Sequence, residues 1–254
     1  MKAIILSAGQ GKRLLPMTAD LPKCLLPLGG KPLIGWQVDA LHTCGIDEIV
    51  VVTGFAADRV ERALEDMARP GLTLRAVYNP FYAVADNLAS CWLVRGEMRG
   101  GFLLLNGDTV FEPAVLGRLL ASPTAPVTVT IDRKAAYDAD DMKVRTEGTR
   151  LVEIGKTLPL DEVDGESIGM LYFRGAGPRL FAAAIEEALR NPEAVRWWYL
   201  SVVGRLAREV EVLTASIEGL EWGEVDYPAD LARARVLALR WEASRGNEAL
   251  AASS

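Results

Sequence analysis

The chain predicts an α/β protein in which a mostly parallel sheet is covered by helices on both faces. Two observations predict this. Short β-rich apolar runs alternate with stretches of helical spacing along the first half of the sequence, the pattern of repeated strand–helix units. A glycine-rich turn follows directly on the first of those runs. A third observation qualifies the reading: the alternation breaks after residue 131, where an antiparallel portion is expected.

The strands of the first half are expected at residues 3–6, 49–52, 72–77, 102–105 and 126–131. Helical spacing falls between them at 32–44, 56–67, 87–97 and 112–120. Beyond residue 131, apolar runs on either side of Glu147-Gly148-Thr149 predict a hairpin. Residues 167–173 form another strand, followed by helical patterns at 177–189 and 196–208. A last strand at 210–215 leads into the segment from Trp222 to Asp226, and a closing helix spans about 228–240. No linker rich in Pro, Gly or Ser divides the chain, so residues 1–240 are expected to form one domain. Residues 241–254, small and polar, are expected to fray.

Composition excludes several classes. Of the 254 residues, 50% are hydrophobic and 24% are charged, too apolar for a disordered chain. No apolar run reaches the roughly eighteen residues of a membrane span. The N-terminal residues enter the first strand and its turn without a small-residue cleavage site, which reads as a strand and not a signal peptide. The cysteines (Cys24, Cys44, Cys91) are odd in number and lack metal-ligand spacing, which suits a reducing cytoplasm. A net charge of −6 argues against a protein that tracks a nucleic-acid backbone.

The most informative stretch runs from Leu6 through Ser7, Ala8, Gly9, Gln10, Gly11, Lys12 and Arg13 to Leu14. Glycines at 9 and 11 allow a tight turn whose amide N–H groups can point at a phosphate. Arg13 and Lys23 add positive charge suited to a triphosphate. A dinucleotide fingerprint would place a third glycine at position 14 and an acidic residue at the end of the second strand. The chain has Leu14 and Val52-Thr53-Gly54 instead. Downstream come Pro22-Lys23-Cys24-Leu25-Leu26-Pro27 and then Gly30-Lys31-Pro32.

The turn and the Pro-Lys segment together resemble the signature of the nucleotidyltransferases that activate sugar phosphates and phospho-alcohols, roughly L-x-A-G-x-G-x-R-(L/M) followed by P-K-x-L-x-P. That resemblance implies a three-layer α/β/α Rossmann-like nucleotidyltransferase fold, with a mixed, mostly parallel sheet and an added antiparallel portion. It implies that Leu6, Ala8 and the loop Gly9 to Arg13 bind the nucleotide. Arg13 would hold the β- and γ-phosphates and Lys23 the α-phosphate, the two serving as catalytic residues. A substrate phosphate would attack the α-phosphate, releasing pyrophosphate.

Such chemistry needs charge neutralisation by a divalent metal, so carboxylates are required. Asp108 ends a predicted strand at its carboxyl side, where ligands bind in open α/β sheets. In an extended segment Glu224 and Asp226 share one side. The resemblance implies that Asp108 and Asp226 hold Mg2+, with Glu224 beside them. Taken alone, Asp108 also fits a turn and Asp226 a helix N-cap.

Sugar-nucleotide enzymes of this fold carry a small, glycine-rich stretch where this chain has Ala85-Asp86-Asn87-Leu88-Ala89-Ser90-Cys91-Trp92. This stretch is similar to that of cytidylyltransferases acting on phosphocholine, phosphonates and inositol phosphate, and it implies base or ribose contacts from Asn87 and Ser90. Asn87 is also suited to capping a helix. On the acceptor side the same branch implies roles for Lys143, Lys156 and Glu166. Tyr199 and Trp222, with Trp92, Tyr172, Trp197 and Trp198, are candidates for a pocket wall or a quaternary-ammonium cage. Tyr199 stands where the phosphocholine enzymes carry an aspartate. That leaves phosphonates, polyols and sugar phosphates open as acceptors.

The expected partners are thus small molecules, an NTP and a phosphorylated or phosphonate acceptor, with no nucleic acid and no membrane, and a homodimer left open. Uridylyl, guanylyl or thymidylyl transfer to a sugar 1-phosphate is the alternative activity. A silent nucleotide-binding regulatory subunit is the more remote one, and a dinucleotide-dependent oxidoreductase leaves Lys23, Asp108 and Asp226 unexplained. His42, the one histidine, cannot by itself build a catalytic triad or a zinc site, and a surface or packed role is expected for it.

Overall fold

The computed structural model describes residues 1–252, with side chains through residue 244. The chain opens with β1 (Lys2–Leu6) and the glycine-rich loop, whose course includes short 3-10 turns at Lys12–Leu14 and Lys23–Leu25. A two-residue ribbon, β2 (Pro27–Leu28) and β3 (Lys31–Pro32), leads into α1 (Leu33–Thr43). Then follow β4 (Glu48–Thr53), α2 (Ala57–Asp66), β5 (Thr73–Tyr78), α3 (Asn87–Leu93) and β6 (Phe102–Asn106). Next are β7 (Thr109–Phe111), α4 (Pro113–Leu120), β8 (Val127–Asp132), the hairpin β9 (Lys143–Glu147) and β10 (Arg150–Gly155), and β11 (Gly165–Phe173). The chain closes with α5 (Gly177–Ala188), α6 (Tyr199–Leu206), β12 (Val212–Ser216), β13 (Trp222–Glu224) and α7 (Pro228–Ala252).

Nine strands form the main sheet in the order β5-β4-β1-β6-β11-β8-β12-β10-β9. The strands β5, β4, β1 and β6 are mutually parallel, and β12 runs parallel to β8. Reversed among them are β11 and β10. The start of β11 also pairs with β9, so the antiparallel portion curls back on itself. The sheet is therefore mixed with one prevailing direction, as the sequence predicts.

Both faces of the central strands are buried, and alternation sorts their side chains. Ala3, Ile5, Val51, Leu103 and Leu105 pack with α1, α2 and α4 on one face. Ile4, Val50, Val52, Phe102 and Leu104 pack with α3, α5 and α6 on the other. A third cluster joins Leu14, Leu28 and Trp36 to Leu231, Ala238 and Trp241 of α7.

The structure departs from the sequence reading at several ends. Helix α3 stops at Leu93 and gives way to a 3-10 turn at Arg95–Glu97. Helix α6 begins at Tyr199, not 196, because the Asn87 Oδ1 accepts the Tyr199 N–H at 2.8 Å. Helix α7 does not end near 240. Trp241 is 9% exposed and meets Trp36 edge to face at 5.5 Å, while Glu242 accepts the Gly30 N–H at 2.9 Å. Those contacts draw the helix past its expected end, and residues 253–254 of the expected frayed tail lie outside the described residues. The short ribbons β2/β3 and β7/β13 had no counterpart in the strand reading.

Phe173 sits between Phe102 and Phe181, with ring centroids 4.6 Å from each. Phe173→Ala is expected to cost about 3–5 kcal/mol, from lost burial and the cavity it leaves. Urea unfolding measures this as a lower midpoint with an unchanged m-value. A loss below about 1 kcal/mol would mean that the stack contributes little.

Candidate active site

The carboxyl ends of β1, β4 and β6 meet in one cleft. Pairing continues past the strand ends: Gly107 donates to the Leu6 carbonyl at 2.9 Å, Ser7 to Val52 at 2.9 Å and Phe55 to Ala8 at 2.9 Å. A side chain at Gly107 would run into the Leu6 carbonyl and the Ser7 hydroxyl, so only glycine allows the loops after β1 and β6 to lie so close. Gly11 has φ of 75°, and a Cβ there would sit 3.0 Å from that of Lys23. The loop thus folds against the lysine.

Lys23 stands at the centre. Its Nζ donates to Asp108 Oδ2 at 2.7 Å and to Asp226 Oδ1 at 2.8 Å. Burial works against its charge, but the two carboxylates outweigh burial and raise its pKa. The carboxylates are brought together by the ribbon β7/β13, in which Thr109 lies opposite Glu224 and the Val225 N–H donates to the Asp108 carbonyl at 3.0 Å. Asp226 does not act as a helix N-cap. Asp230 accepts the N–H groups of Asp226 and Tyr227, leaving the Asp226 carboxylate to Lys23 and, at 3.2 Å, to Arg13.

Around this centre the carboxylates of Asp108, Asp226 and Glu224 face the two cations Lys23 and Arg13. Glu224 opens into the cleft, yet the protein crowding it and the charges of Asp108 and Asp226 push its carboxyl up to about 8. Asp108 Oδ1 is buried with no hydrogen-bond partner. Such an orphaned hard oxygen beside further carboxylates fits the donor set of Mg2+, which takes one or two carboxylates and completes its shell with phosphate and water. Among the described residues no three His, Cys, Asp or Glu side chains form a complete metal cage.

The loop residues Gly9, Gln10, Gly11, Lys12 and Arg13 line a cavity of about 450 Å3 together with Lys23, and Asn87, Lys156 and Trp198 face them. Beneath it a smaller cavity of about 280 Å3 is bordered by Leu6, Ala8 and Ser90. Gln10 is tied to the Thr18 carbonyl at 3.2 Å. At the mouth, Asp140 accepts from Arg13 at 3.1 Å and from the Tyr227 hydroxyl at 3.0 Å, and Lys156 approaches it at 3.4 Å. Arg13 lies over the Tyr227 ring at 5.1 Å and Lys156 over Trp198 at 4.4 Å.

On the far side of Glu224 and Asp226 lies a cavity of about 580 Å3 bordered by Glu166, Lys134, Trp222 and Tyr227. Burial pushes the Glu166 carboxyl up to about 7, against the pull of Lys134 at 2.8 Å. Trp222 borders the cavity with its Nε1 donating to Asp132 at 2.7 Å.

Two expected acceptor residues do not reach the cleft. Lys143 is 3% exposed, and its ammonium donates to the backbone carbonyls of Asp138, Asp141 and Lys156. It braces the loop 133–142 from within. Tyr199 is fully buried, its hydroxyl donating to Asn106 at 3.2 Å. It supports the residue ahead of Asp108 and forms no pocket wall. Trp92 and Trp197 are stacked under Arg95 and Arg205 and build no aromatic cage. Sequence reasoning missed Asp140, Asn79 and Lys134. Each sits in a polar loop or at a strand end, where a single polar residue gives no periodic signal.

A family model described as a MobA-like NTP transferase domain matches residues 3–197. The chain belongs to that family. This transferase is similar to a CMP-5'-(3-aminopropyl)phosphonate synthase of Streptomyces rubellomurinus, with 30% identity over 91% of this chain and 37% of that protein. It is also similar to a choline-phosphate cytidylyltransferase of Streptococcus pneumoniae, with 27% identity over 91% of this chain and 95% of that one. It therefore spans little more than a third of the first relative and nearly all of the second. A solved inositol-1-phosphate CTP transferase from T. maritima shares the fold, with a TM-score of 0.79 and 21% identity over 93% of this chain and 94% of that one. The fold and family identify the chain as an enzyme of the nucleotidyltransferase type. Among the described residues no helix is long and apolar enough to cross a membrane.

Lys143→Met removes the three hydrogen bonds that tie the loop 133–142 to Lys156. It is expected to lower stability by about 1–3 kcal/mol, through carbonyls left unpaired. The loop should also become more open to limited proteolysis. Unaltered unfolding and cleavage would overturn the bracing role.

Proposed function

We propose that the chain is a Mg2+-dependent cytidylyltransferase that moves CMP from CTP to a small phosphorylated alcohol or phosphonate. The observation behind this reading is the meeting of Lys23, Asp108 and Asp226 directly beneath the glycine-rich loop. Cytidylyl transfer is further supported by the relatives, which include a phosphonate CMP synthase and a choline-phosphate cytidylyltransferase. Asn87 and Ser90 border the inner cavities where a base and ribose would lie.

In the reaction the loop amides of Gly9 to Arg13 bind the triphosphate, and Arg13 neutralises its β- and γ-phosphates. Lys23 steadies the charge that gathers on the α-phosphate as the acceptor attacks. An acceptor oxygen forms a bond to the α-phosphorus while the bond from that phosphorus to the oxygen bridging it to the β-phosphate breaks, and pyrophosphate leaves. Lys156 holds the acceptor phosphate or phosphonate, and Glu166 and Trp222 border the space for the rest of it. Asp108 and Asp226 would hold Mg2+, with Glu224 beside them. When bound, the ion supplies positive charge to the phosphate oxygens. Uridylyl transfer to a sugar 1-phosphate is the second reading. It draws on 38% identity over 114 residues to an N-acetylmuramate α-1-phosphate uridylyltransferase of Neisseria meningitidis.

Pyrophosphate release with Mg2+ tests the reading across CTP, UTP, GTP, ATP and dTTP, each crossed with phosphocholine, aminoethylphosphonate, hydroxymethylphosphonate, inositol phosphate and sugar 1-phosphates. Release with CTP and a non-sugar acceptor is expected, and release only with UTP, GTP or dTTP and a sugar phosphate would replace it with the second reading. Lys23→Ala is expected to lower kcat by about two to three orders of magnitude while the fold survives. Near-normal turnover would remove Lys23 from the mechanism. Asp108→Asn is expected to abolish the Mg2+-dependent rate, and an unchanged Mg2+ titration would exclude Asp108 as a ligand.

A further inference from the structure

The cavity of about 280 Å3 under the glycine-rich loop contains a pair of residues that the proposed reaction does not use in full. Asn79 and Ser90 are 1% and 4% exposed, and both line the cavity. Asn79 follows directly on β5, and its backbone N–H donates to the Thr53 carbonyl at 2.8 Å, so its position is fixed by the sheet. Its side-chain Oδ1 accepts the Phe81 N–H at 2.8 Å. A backbone N–H can only donate, so this bond decides which end of the amide is oxygen. The other end is NH2, and it donates to Ser90 Oγ at 3.0 Å. Ser90 must accept that bond, and its own hydrogen must point elsewhere. Among the described residues no acceptor takes it, and the cavity is what Ser90 borders.

We infer that Asn79 is a positioning residue for base selection, fixing the Ser90 hydroxyl as a hydrogen-bond donor into the cavity. The inference rests on the proposed nucleotide-binding role of the cleft and names how the base is chosen there. A free serine is ambivalent, since its hydroxyl can donate or accept. With one lone pair taken by Asn79 it keeps another, but accepting through that one leaves its hydrogen unpaired, so it pairs best with an atom that accepts. Cytosine presents a bare N3 on its pairing edge, where uracil presents N3–H. A donor facing that edge favours cytosine; when uracil enters, either two hydrogens are opposed or Ser90 turns to accept and its own hydrogen is left unpaired, and a site built for one hydrogen-bond pattern rejects its inverse strongly.

Asn79→Asp tests the lock with almost no change of shape. One carboxylate oxygen still accepts the Phe81 N–H. Once ionised, at mildly alkaline pH, the other can only accept, so Ser90 turns its hydrogen toward it and offers the cavity a lone pair, whereas the protonated acid would donate to Ser90 as the amide does. Dissociation constants of the full chain for CTP and UTP, measured by calorimetry, read the outcome without requiring turnover. The ratio favouring CTP is expected to fall about tenfold or more in Asn79→Asp at mildly alkaline pH, and to recover toward the wild-type ratio as the pH is lowered and the buried acid is protonated. Ser90→Ala is expected to erase most of the preference, and it is the deciding variant if Asn79→Asp does not fold. A wild-type chain that binds CTP and UTP equally, or a ratio unmoved in the variants, overturns the inference and leaves the proposed reaction intact. Absent pyrophosphate release with the expected binding ratios overturns the reaction and leaves the inference. Binding of neither nucleotide overturns both.

Discussion

The ammonium of Lys23 between Asp108 and Asp226 is the constraint around which the cleft is arranged. A largely buried lysine needs opposite charge close by. Here the charges come from the end of β6 and from the segment after β13. The 3-10 turn at Lys23–Leu25, the left-handed Gly11 and the ribbon β7/β13 all serve to bring these groups within hydrogen-bond reach. Without the ribbon, Asp226 would have no defined place relative to β6. The site is thus held by backbone pairing beneath it and by opposite charge across it.

The rim of the cleft follows a second rule. Arg13 and Lys156 come from opposite sides, each resting on an aromatic face, and both turn toward the carboxylate of Asp140. The aromatic rings limit where these long side chains can go while leaving their charges at the mouth. Lys143 does related work out of sight. Its ammonium ties the second half of the same loop to Lys156 after β10 through backbone carbonyls, so the loop bearing Asp140 has a charged post under it.

Much of this was legible in the residues, for identifiable reasons. The central strands are buried on both faces, which forces continuous runs such as Ile49 to Val52 and Phe102 to Leu105 that no solvent-facing segment would tolerate. The loop from Gly9 to Arg13 was visible because tight turns near phosphate need glycine. Side-chain direction was not visible. Lys143 and Lys156 look alike as letters, yet one points into the protein and the other into the cleft. The three-residue strands β7 and β13 are too short for any alternation to register, and their pairing depends on partners more than a hundred positions away. Trp241 resembled part of a polar tail because its contact, Trp36, lies at the other end of the chain.

The order in which the chain emerges gives the β7/β13 ribbon a further meaning. Domains begin to organise while synthesis proceeds from the N-terminus. The strands β1, β4, β5 and β6, the glycine-rich loop, Lys23 and Asp108 all precede residue 109, and the family match itself ends at residue 197. Asp226 arrives afterwards, and the helix that seals the ribbon against Trp36 arrives later still. A chain that stops before β13 therefore carries only one of the two carboxylates that meet Lys23. The pairing of Lys23 with two carboxylates is thus complete only when the last strand and helix are in place.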